Sequence, residues 1–134
     1  AAWNAQSKRP EAQLRPLFQD VDAGCVVVYK PAGMHTSPCR DSFSKDQFTF
    51  EHYLPALVGP PRRGTPNLRP RVCHRLDFRV GGPVIVATTS EATRALIAAF
   101  SEQLVRKEYR AVVCGAVGAG AGDAFVVDAA VDGK

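Results

Sequence analysis

The chain has no CxxC pair, no apolar run of membrane-spanning length and no initiator methionine. Each absence excludes something. The four cysteines, Cys25, Cys39, Cys73 and Cys114, stand far apart, so no zinc site of closely spaced thiolates can be read from them. Cys73-His74 is the only adjacent Cys–His pair. No metal is therefore expected, and unpaired thiols point to a reducing, intracellular setting. No stretch approaches the ~20 apolar residues that a membrane helix needs, so no membrane partner is expected. The opening "AAWNAQSKRPEAQ" lacks the charged-then-apolar layout of a secretory signal. With no first methionine and an abrupt end in "VVDAAVDGK", the chain reads as a processed product or a fragment. Cytoplasm, mitochondrion and plastid all stay open. The glycine-rich "GAVGAGAGD" shares only its glycine content with a phosphate-gripping loop, and no strand–fingerprint–helix unit surrounds it, so no dinucleotide cofactor is expected.

What is present is arginine. The 134 residues, enough for one domain, carry a net charge of +4, with 12 Arg against 5 Lys. Arg62, Arg63, Arg69, Arg71 and Arg75 fall within fourteen residues that contain no acid. A guanidinium offers a rigid fork of donors suited to phosphate oxygens. On a proline-stiffened loop such forks can meet a nucleic-acid backbone, or they can be plain surface charge.

Residues 1–20 are polar and broken by Pro10 and Pro16, which reads as an arm ahead of a domain spanning 21–134. Cys25–Lys30, rich in valine, reads as a strand that Pro31 ends. "TFEHYLPALV" puts Phe50, Tyr53, Leu54, Leu57 and Val58 on one helical face, with Thr49 as a possible cap and Pro55 as an irregularity. "GPPRRGTPNLRPR" reads as a loop. "PVIVATT" reads as a strand with cover on both faces, or as part of a barrel-like interior. A helix follows, with Ala92, Ala95, Leu96, Ala99 and Phe100 as its apolar stripe. Thr88 and Glu91 have capping-box spacing, with Ser90 as a competing cap. "LVRKEYRAVVCG" reads as a strand with Lys107, Tyr109, Ala111 and Val113 on one face, and "AFVVDAAVDGK" as a last short one. The order strand, helix, loop, strand, helix, strand indicates an α+β fold with a mixed, largely antiparallel sheet and flanking helices.

The residue that asks for an explanation is Asp77 in "RVCHRLDFRVGGPVIV". A carboxylate at the mouth of an apolar strand is costly to desolvate unless compensated. In an extended segment Arg75 would lie on the same side and could keep it ionised. Such a carboxylate can act as a nucleophile or stabilise positive charge at a sugar carbon. It can equally be half of a structural Arg–Asp pair. Gly81 and Gly82 leave room for a backbone or ligand to come close. Tyr109 can stack on a planar base or pack as an ordinary strand aromatic. Lys30 can hold an anion or cap its strand. His74 can be a base, a ligand or a structural histidine; His35 and His52 carry less. A glycosidase would need a second placed carboxylate, and Asp77 has no evident partner in the sequence.

Three segments, in this order, resemble one family. "VVVYKPAGMHTSP", "HRLDFRVGGPVIVATT" and "RKEYRAVVCG" are similar to the successive motifs of the RluA/RsuA-type RNA pseudouridine synthases, over roughly residues 24–115. The resemblance implies the pseudouridine synthase-like fold. It gives Asp77 the place of the catalytic aspartate and Tyr109 that of the tyrosine on the target uracil. Arg75 takes the place of the arginine that holds the flipped nucleotide or the RNA around it. Lys30 takes an architectural place, and His74, Arg62, Arg63, Arg69 and Arg71 become structural or RNA-contacting. After "HRLD" the family shows a charged residue and then x-Thr-Ser-Gly-Leu; here Phe78, Arg79, Val80, Gly81, Gly82 and Pro83 follow, and only Gly82 keeps its place. The family's later Arg-Thr-His-Gln-Ile-Arg segment does not occur in this sequence.

The implied reaction turns uridine into pseudouridine in structured RNA, rRNA or tRNA. The N1–C1′ bond breaks, the uracil turns, and C5 joins C1′. The change is redox-neutral and needs no cofactor. The target base must leave its stack, and a positive surface must hold the RNA through phosphates and shape. The alternative is an inactive relative that binds RNA or serves as a structural subunit of a larger ribonucleoprotein assembly.

Overall fold

The computed structural model describes residues 9–38, 48–112 and 114–115. A short 3-10 turn at Pro10–Gln13 leads into β1 (Arg15–Asp20) and β2 (Cys25–Lys30). Helix α1 (Phe50–Leu57) follows, then β3 (Pro66–Val72), β4 (Gly82–Thr89) and α2 (Ser90–Ser101). The four strands form one sheet in the order β1-β2-β4-β3, and every neighbouring pair is antiparallel. The α+β fold with a largely antiparallel sheet and flanking helices is what the sequence indicated.

The core follows from the two-residue period of the central strands. Val26 lies opposite Val86 and Val28 opposite Val84, so all four point to one face, where each is at most 1% exposed. Helix α1 covers that face with Phe50 and Leu54, both fully buried, while Val58, Met34 and Leu76 close the edges. Each fully buried side chain of this size contributes about 1.5–3 kcal/mol. Tyr53 and Leu57 pack at the margin, so the helical face read from the sequence is the one used. The helix accommodates Pro55. The opposite face, with Val27 and Ile85, is half-buried. Towards the end of β4 both faces close, and Val86, Ala87, Thr88 and Thr89 are all buried.

Four readings are corrected. A strand, β1, precedes Cys25 and pairs with β2; its side chains are nearly all exposed, so no apolar alternation marked it. Second, the arginine-rich stretch is not all loop, since Pro66–Val72 is an edge strand. Its prolines cannot donate to a ladder, but an edge tolerates them. Pairing is kept at Pro66, Arg71 and Val72 with an irregularity between. The Asn67 side-chain amide fills that gap, donating to the carbonyls of Ala87 and Thr89 and to Thr93 Oγ1. Third, neither Thr88 nor Ser90 caps α2; Thr89 does, accepting from the Ala92 N–H at 3.1 Å. Glu91 instead accepts from the Thr65 N–H and hydroxyl. Of the apolar stripe, Ala95 is exposed. Fourth, residues 104–112 form no strand; they lack a ladder partner among the described residues. Val113, Cys39 and the segment "AFVVDAAVDGK" lie outside the described residues.

Candidate active site

Two loops meet above the core, and Asp77 sits where they touch. The first, residues 31–38, leaves β2; the second, residues 73–81, enters β4. Lys30 organises the first. Its side chain is fully buried, and its Nζ donates to the carbonyls of Pro31 at 2.9 Å and Met34 at 2.7 Å. Burial pulls its ammonium pKa below the ordinary value, and the negative charge of Asp77 opposes that shift. A buried cation is costly unless its donors are satisfied, and the two carbonyls satisfy two of them here.

The loops are joined by hydrogen bonds on both sides of Asp77. The Thr36 hydroxyl donates to the Leu76 carbonyl at 2.6 Å and accepts from the Leu76 N–H at 3.2 Å. The Gly33 N–H donates to the Phe78 carbonyl at 2.7 Å. Gly33 holds φ +81°, a region that side chains with a Cβ resist. The Val80 N–H donates to the Asp77 carbonyl at 3.0 Å, closing a turn. Gly81 permits the close approach: a Cβ there would stand 3.1 Å from the Ala32 nitrogen and 3.1 Å from the Tyr29 hydroxyl.

The second loop is also pinned to β4. The Cys73 N–H donates to the Ile85 carbonyl at 3.1 Å, and the Ile85 N–H donates to His74 Nε2 at 3.0 Å. The imidazole thus replaces a missing ladder carbonyl. Its ring stacks on Phe100 of α2 with centroids 4.6 Å apart. The bond requires a lone pair on Nε2, so the ring is neutral with its proton on Nδ1. Burial, and then the charge of Lys107, hold the His74 pKa below its ordinary value. Of the readings open for His74, this geometry is the structural one.

Asp77 and Arg75 are both exposed, and they make no ion pair; the pairs among the described residues are Arg63–Asp22 and Arg106–Glu108. Residues 73–74 bend, residues 78–79 turn, and no strand includes Arg75 or Asp77. The charge of Asp77 is felt by the buried ammonium of Lys30, far away in sequence. Tyr109 is 64% exposed. It lines a groove of about 490 Å3 together with Val27, His74, Leu76, Val80 and Phe100. Leu76 and Val80 flank Asp77, so the groove and the carboxylate share a loop, but Asp77 does not line the groove. Arg62, Arg63, Arg69 and Arg71 are exposed, the last two on the β3 edge. Cys25, Cys73 and Cys114 are free thiols. Gly33 reads from the sequence as a turn glycine, as its φ bears out, but Thr36 does not stand out, since nothing local announces a bond from residue 36 to residue 76.

The sequence model of RNA pseudouridylate synthases matches residues 24–127. An uncharacterized RNA pseudouridine synthase of Zymomonas mobilis is 33% identical over 101 residues, covering 75% of this chain and 41% of the relative. The ribosomal large subunit pseudouridine synthase D of Xanthomonas campestris is 36% identical over 110 residues, covering 80% of this chain and 30% of the relative. That of Yersinia pestis is 30% identical over 121 residues, covering 90% and 33%. The chain therefore spans well under half the length of these relatives.

Proposed function

Since this chain belongs to the RNA pseudouridylate synthase family, we propose that the protein carrying it converts uridine to pseudouridine in structured RNA, with Asp77 as the catalytic carboxylate. The carboxylate acts at C1′, as nucleophile or as partner in a glycal-type route. The N1–C1′ bond breaks, the C5–C1′ bond forms, C5 gives up its proton and N1 takes one up. Tyr109 stacks on the detached uracil and keeps it from leaving. Arg75, exposed beside Asp77, holds the flipped nucleotide. Arg62, Arg63, Arg69 and Arg71 meet phosphates. Large-subunit ribosomal RNA is the substrate class that the names of the relatives suggest, with tRNA as the other.

The observation that carries this reading is the setting of Asp77. Its two neighbours are bonded to a second loop, and Asp77 itself is left open to solvent. One observation favours the inactive, RNA-binding reading: Tyr109 and Asp77 do not line one groove.

A single assay decides between them. RNA labelled with tritium at uridine C5 is incubated with the full-length protein and with its Asp77→Ala variant. The expected result is tritium release by the unaltered protein and a loss of at least about 10³-fold in the variant, the scale on which removing a covalent catalyst is felt. Equal release by both would remove Asp77 from the chemistry. RNA binding without release by either would establish the inactive reading.

A further inference from the structure

The hydrogen bonds around Asp77 do more than join two loops. Leu76 has both of its backbone groups held by one side chain, the Thr36 hydroxyl, which is donor to its carbonyl and acceptor from its N–H. Thr36 is 3% exposed, so water cannot substitute for it, and it plays the part that a neighbouring strand would play in a ladder. On the far side of Asp77, the Phe78 carbonyl is held by the Gly33 N–H at 2.7 Å. The Leu76 side chain is itself sunk in the core. Asp77, the residue between these two held positions, is exposed.

The anchor is rigid in its turn. Gly33 and Thr36 belong to the loop whose Pro31 and Met34 carbonyls are held by the buried Lys30 Nζ. The line of support runs from β2 through Lys30 to the loop, and from Thr36 and Gly33 to the two sides of Asp77. No residue from Phe78 to Pro83 carries a hydroxyl that could brace the aspartate loop from within. The hydroxyl comes from the partner loop instead.

We propose that Thr36 is a positioning residue for Asp77: its hydroxyl, bonded twice to Leu76, sets the direction of the neighbouring carboxylate and thereby the rate of the isomerisation. The proposal rests on the catalytic reading of Asp77 given above. A displacement of about 1 Å in a catalytic group can cost roughly 100-fold in rate, and loss of both bonds at residue 76 frees its backbone to move on that scale.

The test uses the full-length protein with Thr36→Val, Thr36→Ser and Thr36→Cys, at a temperature where all folded variants are below their melting transitions. Valine keeps the shape and removes both bonds; serine keeps the hydroxyl; cysteine keeps only a weak donor and acceptor. For C5-tritium release the expected order of kcat is Thr, then Ser within about 3-fold, then Cys, then Val lower by about 10–100-fold. KM for RNA should stay within about 2–3-fold throughout, because Thr36 is buried and touches no RNA. Should valine prevent folding, the Ser–Cys comparison carries the same decision. Equal kcat for the Thr, Ser and Cys proteins, or a KM that rises while kcat stays, would overturn the proposal. An inactive unaltered protein would instead remove the catalytic reading. The clasp is then judged by amide exchange at Leu76 and Phe78: faster exchange in the Cys variant supports it, and unchanged exchange ends it.

Discussion

The ground beneath Asp77 and the strip that carries Tyr109 are built in opposite ways. Around Asp77, every level of structure agrees. Val26, Val28, Val84 and Val86 are sealed under Phe50 and Leu54, and Lys30, Thr36 and Gly33 hold the loops above them. Residues 104–112, in which an extended chain would put Lys107, Tyr109 and Ala111 on one face, form no strand, and Leu104, Tyr109 and Val112 are 73%, 64% and 103% exposed. Among the described residues their one ion pair, Arg106–Glu108, is 3.9 Å long and open to water, where such pairs add little. The difference teaches that a strand-like stretch of sequence supplies only half of a strand. The other half is a neighbour whose N–H and C=O groups complete the ladder.

The largest expected effect breaks the comparison directly. Leu54→Ala should cost about 2–5 kcal/mol, the range for opening a cavity in a packed core. Leu104→Ala should change stability by no more than about 0.5 kcal/mol, as surface substitutions do. Denaturant melts of the two variants measure both. Similar losses would mean that residue 104 is packed and that the two regions are not built differently. Next in size is Tyr109. Tyr109→Ala should leave the melt where it is and weaken uridine isomerisation by about 1–3 kcal/mol, the worth of one base–aromatic contact. Tyr109→Phe should keep most of that activity, since stacking needs the ring. A clear loss of stability in Tyr109→Ala would reassign this side chain from substrate to core.

How far the sequence discloses this arrangement depends on whether the relevant partner is local. Strands β2 and β4 announce themselves through runs of β-branched residues, and α1 because Phe50, Leu54 and Val58 recur at helical spacing. Strand β3 is hidden by Pro66 and Pro70, since what keeps them in a sheet is the Asn67 amide reaching β4 carbonyls. Strand β1 buries almost nothing and so has no pattern to read. In the site, the identities of Asp77, Tyr109 and Lys30 stand out through three ordered motifs. What surrounds Asp77 does not. Arg75 looks like its partner because it is two residues away, but the two make no ion pair, and it is Lys30, in another strand, whose ammonium senses the charge of Asp77. Thr36 is silent for the same reason.

The smallest effect links the two regions, because Lys107 of the exposed strip lowers the pKa of His74 in the aspartate loop. Burial contributes first, Lys107 second, and a backbone hydrogen bond at Arg75 opposes both. Arg106, Glu108 and Arg110 line the same groove as the imidazole. In the unfolded chain the ring titrates near about 6.5; in the folded chain it must stay neutral longer to accept the Ile85 N–H. As pH falls, the unfolded chain takes up the proton first, so stability is lost. The contribution of neutral His74 is complete above about pH 6.5, declines from there to the folded pKa, and is absent below it. His74→Gln should flatten the melting temperature across that window. The finer measurement follows the His74 ring resonance in Lys107→Met: removal of the charge should move its titration upward. A titration that does not respond would place the strip away from His74. Tyr109 would then lose its place beside the loop that holds Asp77, and the exposed region would have no structural tie to the buried one.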